Sequence, residues 1–443
     1  MDGWTIGWQI PEIGLDHCSI YWGKLARSRD MESMGGHMDA LTHQHGSWFE
    51  RGIRPLLLAL ALLASISLSL STAVVAAAHT HGKRHHGMRH RRHRLRHRTR
   101  HAVTARSTAP LVFGIYPGGA AGAVGPSGAL YPEDPTKRLA AVEQLRAPGR
   151  PFVLHLYASY SGAGGWSAAQ QVGQQIASYG AAGLQTELAL TYRPSDGGSA
   201  ADVAGFVSFV RATVRALGPD AGFVSLQVTN EANITAAPNA ADGYYAGAKD
   251  ALIQGVIAGK DESVRDGFTQ LKIGFNWAYD TGSGERGFWS YLGQHGGASF
   301  VSALDWVGFD AYPGTWGPAL DSSNLTTATV DFMDAALSSL RATYLPLAGI
   351  PHRVPLQVCE NGYPTGPSRT EAMQVTVMKA SVSAVDRARG TYNIAGYRWF
   401  DLRDADSSSS SFEDQYGIMR DDYRPKAGFW VYQQLVAALS VPH

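Results

Sequence analysis

The chain has 443 residues, 44% hydrophobic and 17% charged, enough for a large core and one or two domains. Its formal net charge is +1, yet residues 79–106 hold ten Lys and Arg with no acid, whereas residues 107–443 hold 23 basic and 30 acidic residues. Only two cysteines occur, Cys18 and Cys359, with no CxxC or Cys/His zinc spacing, which excludes a disulfide-stapled scaffold and a zinc-ribbon reading.

Residues 1–50 show no sustained periodicity and receive no fold. Arg51 and Arg54 then precede an apolar run from Pro55 to Leu70, and the segment closes on Ala76, Ala77 and Ala78. Basic, apolar and small residues in that order give residues 51–78 the layout of a secretory signal. An uncleaved membrane anchor is the alternative, since the stretch is about long enough to span. The dense positive charge beyond it would then lie on the wrong side for usual topology. The expected product is secreted or held at the cell surface, with Cys359 as its one thiol. The leader is long, so an internal start at Met31, Met34 or Met38 is a companion expectation.

Residues 79–106 interleave Arg with eight His. Such a tract cannot bury a core and is expected to be disordered. It reads as a solvated basic linker, drawn to an anionic cell envelope or to the acidic domain and released by salt. Export disfavours a nucleic-acid partner, and the histidines imply no fixed metal geometry.

From residue 107 to 443, strands and helices alternate. The strands are Leu111–Tyr116, Pro151–Tyr157, Leu184–Tyr192, Phe223–Thr229, Leu271–Trp277, Leu304–Tyr312, Pro355–Glu360 and Ile394–Phe400. Between them lie amphipathic stretches such as Pro135–Ala147, Ser167–Tyr179, Val203–Leu217, Val330–Tyr344, Thr370–Arg389 and Tyr423–Leu439. Eight such units predict an α/β protein of the (β/α)8 TIM-barrel class, a fold of roughly 250 residues before insertions. An open doubly wound sheet is the competitor. No Gly-rich nucleotide fingerprint follows the first strand, because Gly118 and Gly119 open a loop, read as a flexible rim, rather than a helix.

The fourth strand is the most informative. Val224, Leu226 and Val228 share one face, suited to packing on helices, while Ser225, Gln227, Thr229 and Glu231 share the other. Glu231 therefore sits at the strand's C-terminal end, where parallel barrels keep their chemistry. Polar and aromatic residues gather at the other strand ends too: Tyr157, Tyr160, Tyr192, Arg193, Asn230, Asn276, Trp277, Tyr312, Trp316 and Trp399. Together they predict a cleft of flat apolar faces and hydrogen-bonding groups, which is what a carbohydrate requires. A second carboxylate, Glu360, ends the seventh strand, across the barrel mouth from the fourth. Two carboxyls flanking a sugar supply an acid and a nucleophile. A separation near ~5 Å implies retention of anomeric configuration, and a much wider gap implies inversion.

The chain here resembles the clan A glycoside hydrolases, the (β/α)8 retaining glycosidases. The resemblance rests on Thr229-Asn230-Glu231, Cys359-Glu360-Asn361-Gly362, Tyr312, Trp399 and the closing run from Gln415 to Ala427, and spans roughly residues 111–440. It implies a β-glycosidase with Glu231 as general acid/base and Glu360 as nucleophile. It also implies that Asn230 contacts the sugar's 2-hydroxyl, that Tyr312 hydrogen-bonds the nucleophile and that Trp399 floors its subsite. Two positions depart from the clan: no Arg ends the second strand, where His155 or Tyr157 stands, and Ala232 replaces the usual proline. A non-catalytic carbohydrate-binding or wall-associated barrel is the alternative, and the presence of both glutamates argues against it.

Physical chemistry adds expectations of its own. Burial and the other carboxylate should raise Glu231's pKa. Glu360 needs hydrogen-bond donors, with Tyr312 and Asn230 as candidates. Glu360 shares parity with Leu356 and Val358, so reaching the barrel interior calls for a bulge or a local twist. Asp305 and Asp310 read as capping or core hydrogen-bonding groups, with no cofactor or metal expected. The run Asp401–Ser411 reads as a solvated rim loop. Asn233-Ile-Thr235 and Asn324-Leu-Thr326 match a glycosylation pattern.

Overall fold

Eight strands, each followed by helical chain, close on themselves in sequence order. They are β1 (Val112–Ile115), β2 (Phe152–Tyr160), β3 (Gln185–Tyr192), β4 (Phe223–Val228), β5 (Lys272–Ala278), β6 (Trp306–Ala311), β7 (Leu356–Asn361) and β8 (Ile394–Trp399). All neighbours pair in parallel, and β8 pairs with β1, so the expected (β/α)8 barrel is the observed one. The computed structural model of the protein describes residues 110–119, 132–162, 165–195, 197–238, 240–316 and 319–440. The expectations for the export segment, the basic tract and most of the loop after β1 lie outside the described residues. Among the described residues no helix is long and apolar enough to cross a membrane.

The helices form where the sequence caps them. Ser199 and Asp202 make a reciprocal capping box at the start of Ala200–Leu217. That helix then buries Val203, Phe206, Val210 and Val214, at the three- and four-residue spacing of one face, against the barrel wall. Asp134 caps Pro135–Leu145, whose first residue needs no backbone donor. Two boundaries moved most. The last helix is Ala427–Leu439 and begins after Pro425 and Lys426, not at Tyr423. The helix expected at Val330–Tyr344 starts earlier, at Leu325, and its end widens into a π-turn over Ser339–Tyr344.

Two layers of side chains result. The outward residues of the strands, such as Leu154, Leu188, Leu226, Ile273 and Val307, form one apolar core with the helices. The inward residues are largely polar or small. His155, Glu187, Ser225 and Arg398 meet inside the barrel: His155 Nδ1 lies 3.0 Å from Glu187 Oε1, Ser225 donates to Glu187 Oε2 at 2.7 Å, and Arg398 Nε stands 3.6 Å from Glu187. Room for the arginine comes from Gly114, where an added Cβ would sit 2.6 Å from Arg398 Cδ. Burial alone would raise Glu187, but Arg398, His155 and Ser225 hold its carboxyl down at about 2.

Replacing Glu187 with Gln removes the counter-charge of a buried arginine, and is expected to cost about 3–5 kcal/mol of unfolding free energy. Because the folded pKa is depressed, that stability is present above the ordinary value of 4.5 and is lost as pH falls through about 2. Denaturant titrations at neutral pH and in acid check both statements. A gap between wild type and variant that does not shrink in acid would contradict the second.

Candidate active site

The tripeptide that follows β4 is held by three different elements. Thr229 and Glu231 both adopt left-handed backbone, with φ of 64° and 47°. Such geometry costs on the order of 1 kcal/mol or more per non-glycine residue, so the surroundings must enforce it. Thr229 N–H donates to Leu190 O on β3 at 2.9 Å. Asn230 N–H donates to Asp242 Oδ2 at 2.8 Å, and Glu231 N–H donates to Asn276 Oδ1 on β5 at 2.9 Å. Asp242 also accepts from Tyr192 N–H at 2.7 Å, and burial pushes its carboxyl up to about 7 against the pull of Arg193. Arg193 in turn donates to Pro238 O and Ala240 O, latching the loop that follows Glu231.

Glu360 reaches the interior through the bulge its parity demands. Along β6 and β7, Phe309 pairs with Val358 and Asp310 with Glu360, so Cys359 has no partner in register. The extra residue turns Glu360 inward, and Asn361 returns to the wall, where it accepts from Tyr397 Oη at 2.6 Å. Two phenols address the inward carboxylate. Tyr312 Oη donates to Oε2 at 2.6 Å, and Tyr157 Oη donates to Oε1. Burial first, and then the charge of Glu360, push both tyrosines well above 10, so they remain donors.

Glu231, Asp310 and Glu360 each present a carboxylate oxygen within 4.8 Å of those of the other two. All three residues are buried. Burial, then the charges of Glu360 and Asp242, push Glu231 well above 4.5, with Arg193 opposing. Among the described residues this is the one cluster of carboxylate, imidazole or thiol groups close enough to share an ion. The arrangement can hold a proton on one carboxyl beside a hydrogen-bonded carboxylate on another, which is the requirement of acid-assisted nucleophilic displacement.

The other anticipated residues divide. Tyr157 and Tyr312 stand at the carboxylate. Asn276 lies beneath it and donates to Asn230 Oδ1 at 2.9 Å and Asp310 Oδ2 at 2.5 Å. Asn230 does not donate to Glu360: its amide binds Ala240 O at 3.0 Å, and Tyr157 takes the place expected for it. Trp316, about one-third exposed, packs on Phe412 at the rim, ring centroids 5.7 Å apart.

Two tryptophans are corrections. Trp399 shares the outward parity of Tyr397 and is fully buried against Tyr432 of the last helix, not on the cleft floor. Trp277, next to inward Asn276, also points outward and donates from Nε1 to Glu285. Tyr160 and Tyr192 likewise join the core between barrel and helices. The inward ring is Phe400, one residue beyond Trp399, which stacks on Tyr116 at 5.1 Å and meets Tyr312 and Tyr416 edge-on. Strand alternation alone would have found it.

Three bland expectations also change. Asp305 behaves as anticipated, pairing with Lys260 at 2.8 Å, but Asp310 faces the carboxyl pair. The run after β8 is not a solvated loop: Asp401, Asp404 and Asp406 are buried, and Lys426 clamps Asp404 at 2.6 Å and Thr365 at 2.7 Å. Asn233 is no free glycosylation acceptor. Its amide donates to Ala278 O at 2.9 Å and Glu285 Oε1 at 3.0 Å and accepts from Ala278 N–H, tying the Glu231 loop to β5.

No protein-family model matches the chain, and no curated protein matches it. Solved structures do. It is similar to a family 39 glycoside hydrolase from the gut symbiont Bacteroides cellulosilyticus WH2, at 12% identity and a TM-score of 0.47, covering 75% of this chain and 64% of that one. It is similar to a fungal beta-1,4-galactanase at 13% identity and a TM-score of 0.48, covering 74% and 100%. It is also similar to the beta-glycosidase of the hyperthermophile Thermosphaera aggregans, at 13% and 0.49, covering 70% and 85%. The chain thus spans less than two thirds of the first of these.

Proposed function

We propose that the protein is a retaining β-glycoside hydrolase of the clan A kind, acting on an oligo- or polysaccharide by double displacement. One observation carries the reading: one oxygen of Glu231 and one of Glu360 lie within 4.8 Å of each other. That spacing fits the ~5 Å of retaining pairs and leaves no room for the water that inverting pairs hold between them.

In the first step a Glu360 oxygen attacks the anomeric carbon, the bond from that carbon to the leaving oxygen breaks, and Glu231 gives the leaving oxygen its proton. Glu360 is now an ester and Glu231 a carboxylate. In the second step Glu231 takes a proton from water, the water oxygen bonds to the anomeric carbon, and Glu360 leaves. Tyr157 and Tyr312 aim Glu360 and release their hold as its charge is spent. Phe400 and Tyr116 offer a flat apolar floor for a sugar, and Trp316 with Phe412 offers a second face at the rim.

The test is hydrolysis of a panel of aryl β-glycosides and β-linked plant and microbial polysaccharides, with product anomers followed by NMR. Release of the β-anomer first supports the reading. Binding of glycans without turnover of any substrate would move the protein to the non-catalytic class, and release of the α-anomer would remove the double displacement. The proposal extends to place: residues 51–78 direct export, and residues 79–106 hold the enzyme to an anionic envelope. N-terminal sequencing of the protein from culture medium and from salt-washed cells tests that part.

A further inference from the structure

The double displacement uses two carboxyls, but three stand together. Asp310, inward on β6, has an oxygen within 4.8 Å of oxygens of both Glu231 and Glu360. The residue is 1% exposed. Oδ2 accepts from Asn276 Nδ2 at 2.5 Å, whereas Oδ1 is buried with no hydrogen-bond partner. An ionised carboxylate left with a bare buried oxygen beside two other carboxyls would be costly. The groups facing Asp310 are Asn276 from β5, Glu231 after β4, Tyr157 from β2, Tyr312 after β6, and Cys359 and Glu360 from β7. None is cationic. Arg193 is occupied with Asp242 and Arg398 with Glu187, each at 3.6 Å.

Resting on the reaction proposed above, we propose that Asp310 is a positioning residue that works as a neutral carboxylic acid, donating Oδ1–H to whichever of Glu231 and Glu360 carries the negative charge. The charge balance asks for such a group. Before attack the trio holds one negative charge, on Glu360, with protons on Glu231 and Asp310. After glycosylation it still holds one, now on Glu231, because Glu360 has become an ester and Glu231 has given up its proton. Hydrolysis reverses both changes. Asp310 keeps its proton throughout and adjoins both sites of charge, so it compensates the transfer without taking part in it. The link through Asn276, which also holds Asn230 and the Glu231 backbone, fixes the Asp310 carboxyl in place. Burial and then the charges of Glu360 and Glu231 raise the Asp310 carboxyl well above the usual range, against the Asn276 amide and the Glu360 backbone N–H, which pull it down.

The consequence is a second essential proton. The active form of the free enzyme needs Glu231 and Asp310 both protonated, so at alkaline pH kcat/KM of the wild type should fall about tenfold per pH unit as the first proton leaves the pair and steepen toward a hundredfold once the second leaves. Asp310→Asn keeps an acceptor for Asn276 and an N–H where Oδ1–H stood. It should retain kcat/KM within about tenfold at the optimum and fall about tenfold per pH unit without steepening. Asp310→Ala, with no donor, should lose about 10²–10³-fold. Asp310→Asn as inactive as Asp310→Ala overturns the proposal.

Infrared difference spectroscopy of the full-length enzyme supplies a readout that needs neither turnover nor a fully active variant. The carbonyl stretch of a protonated buried carboxyl should be present at neutral pH in the wild type, and one such band should vanish in Asp310→Asn. An unchanged spectrum would show Asp310 ionised and sink the proposal. If no glycoside is cleaved at all, the proposed reaction falls, while the infrared result still decides the state of Asp310.

Discussion

Glu360→Ala should leave kcat on aryl β-glycosides lower by on the order of 10⁴- to 10⁶-fold, the loss seen when a nucleophile is removed from a unit that acts together. The reason is geometric. Without the carboxylate, no oxygen stands at the anomeric carbon on that side, and Tyr157 and Tyr312 point their O–H groups at an emptied space. Azide, small and anionic, fits that space. Adding it should restore turnover and give a glycosyl azide of inverted configuration, because one displacement has replaced two. Product NMR reads the outcome directly. The same variant loses a charge that pushes Glu231 and Asp310 upward, so both carboxyls should titrate lower than in the wild type. Two orphaned phenols cost about 1–3 kcal/mol each, and relief of crowding among three carboxyls offsets part of that. A melting curve on the purified variant separates lost chemistry from lost fold. Undiminished activity in a folded Glu360→Ala would remove Glu360 from the mechanism.

The barrel was legible because its strands alternate. Inward Ser225 and Gln227 against outward Leu226 and Val228 is a pattern that burial imposes and a reader can recover. Glu360 was legible by its failure to alternate, since an outward-parity acid needs a bulge or a twist to reach the interior, and a bulge at Cys359 supplies it. The errors came from reading strand ends as clusters and not as alternations. Asn276 and Trp277 are neighbours on one strand and cannot both face the cleft, and the same holds for Trp399 and Phe400. A tryptophan is a better sugar platform than a phenylalanine in general, but parity decides which ring is available.

Other features were beyond any local pattern. Asp310 looks like a strand carboxyl until β4 and β7 are brought beside it. The Asp401–Ser411 run looks solvated because the cation that buries it, Lys426, lies beyond the next loop. Asn233 looks like a sequon until Ala278 and Glu285, from another strand and the helix after it, occupy its amide. In each case the deciding partner is far along the chain, and only the closed barrel brings it near.

Glu231→Gln should separate activity from stability in opposite directions. The acid's task is to protonate a departing oxygen, so its loss matters most for substrates whose leaving group is basic. With an unactivated glycan the first step should slow by about 10²–10⁴-fold, the usual contribution of a positioned acid. With a strongly acidic phenol as leaving group that step needs no proton, and the second step becomes limiting because water has lost its base. Azide, which needs no base, should speed that second step and yield a glycosyl azide of retained configuration, the reverse of its product with Glu360→Ala. The pH profile changes too. Burial, Glu360 and Asp242 hold the Glu231 proton well above 4.5, and wild-type activity should fall as pH rises through that elevated value. The variant's profile should lose the Glu231 part of this alkaline limb. Stability carries the opposite sign. A carboxyl with a raised folded pKa favours folding below its ordinary value, and that contribution is lost as pH climbs to the raised one, at up to about 1.4 kcal/mol per pH unit. Glutamine cannot ionise, so Glu231→Gln should gain on the wild type in melting temperature as pH rises above 4.5, while remaining the poorer catalyst. Parallel melting curves that stay equally spaced across pH would mean that Glu231 ionises in the folded protein no less readily than in the unfolded chain, and the acid would have to be sought elsewhere in the trio.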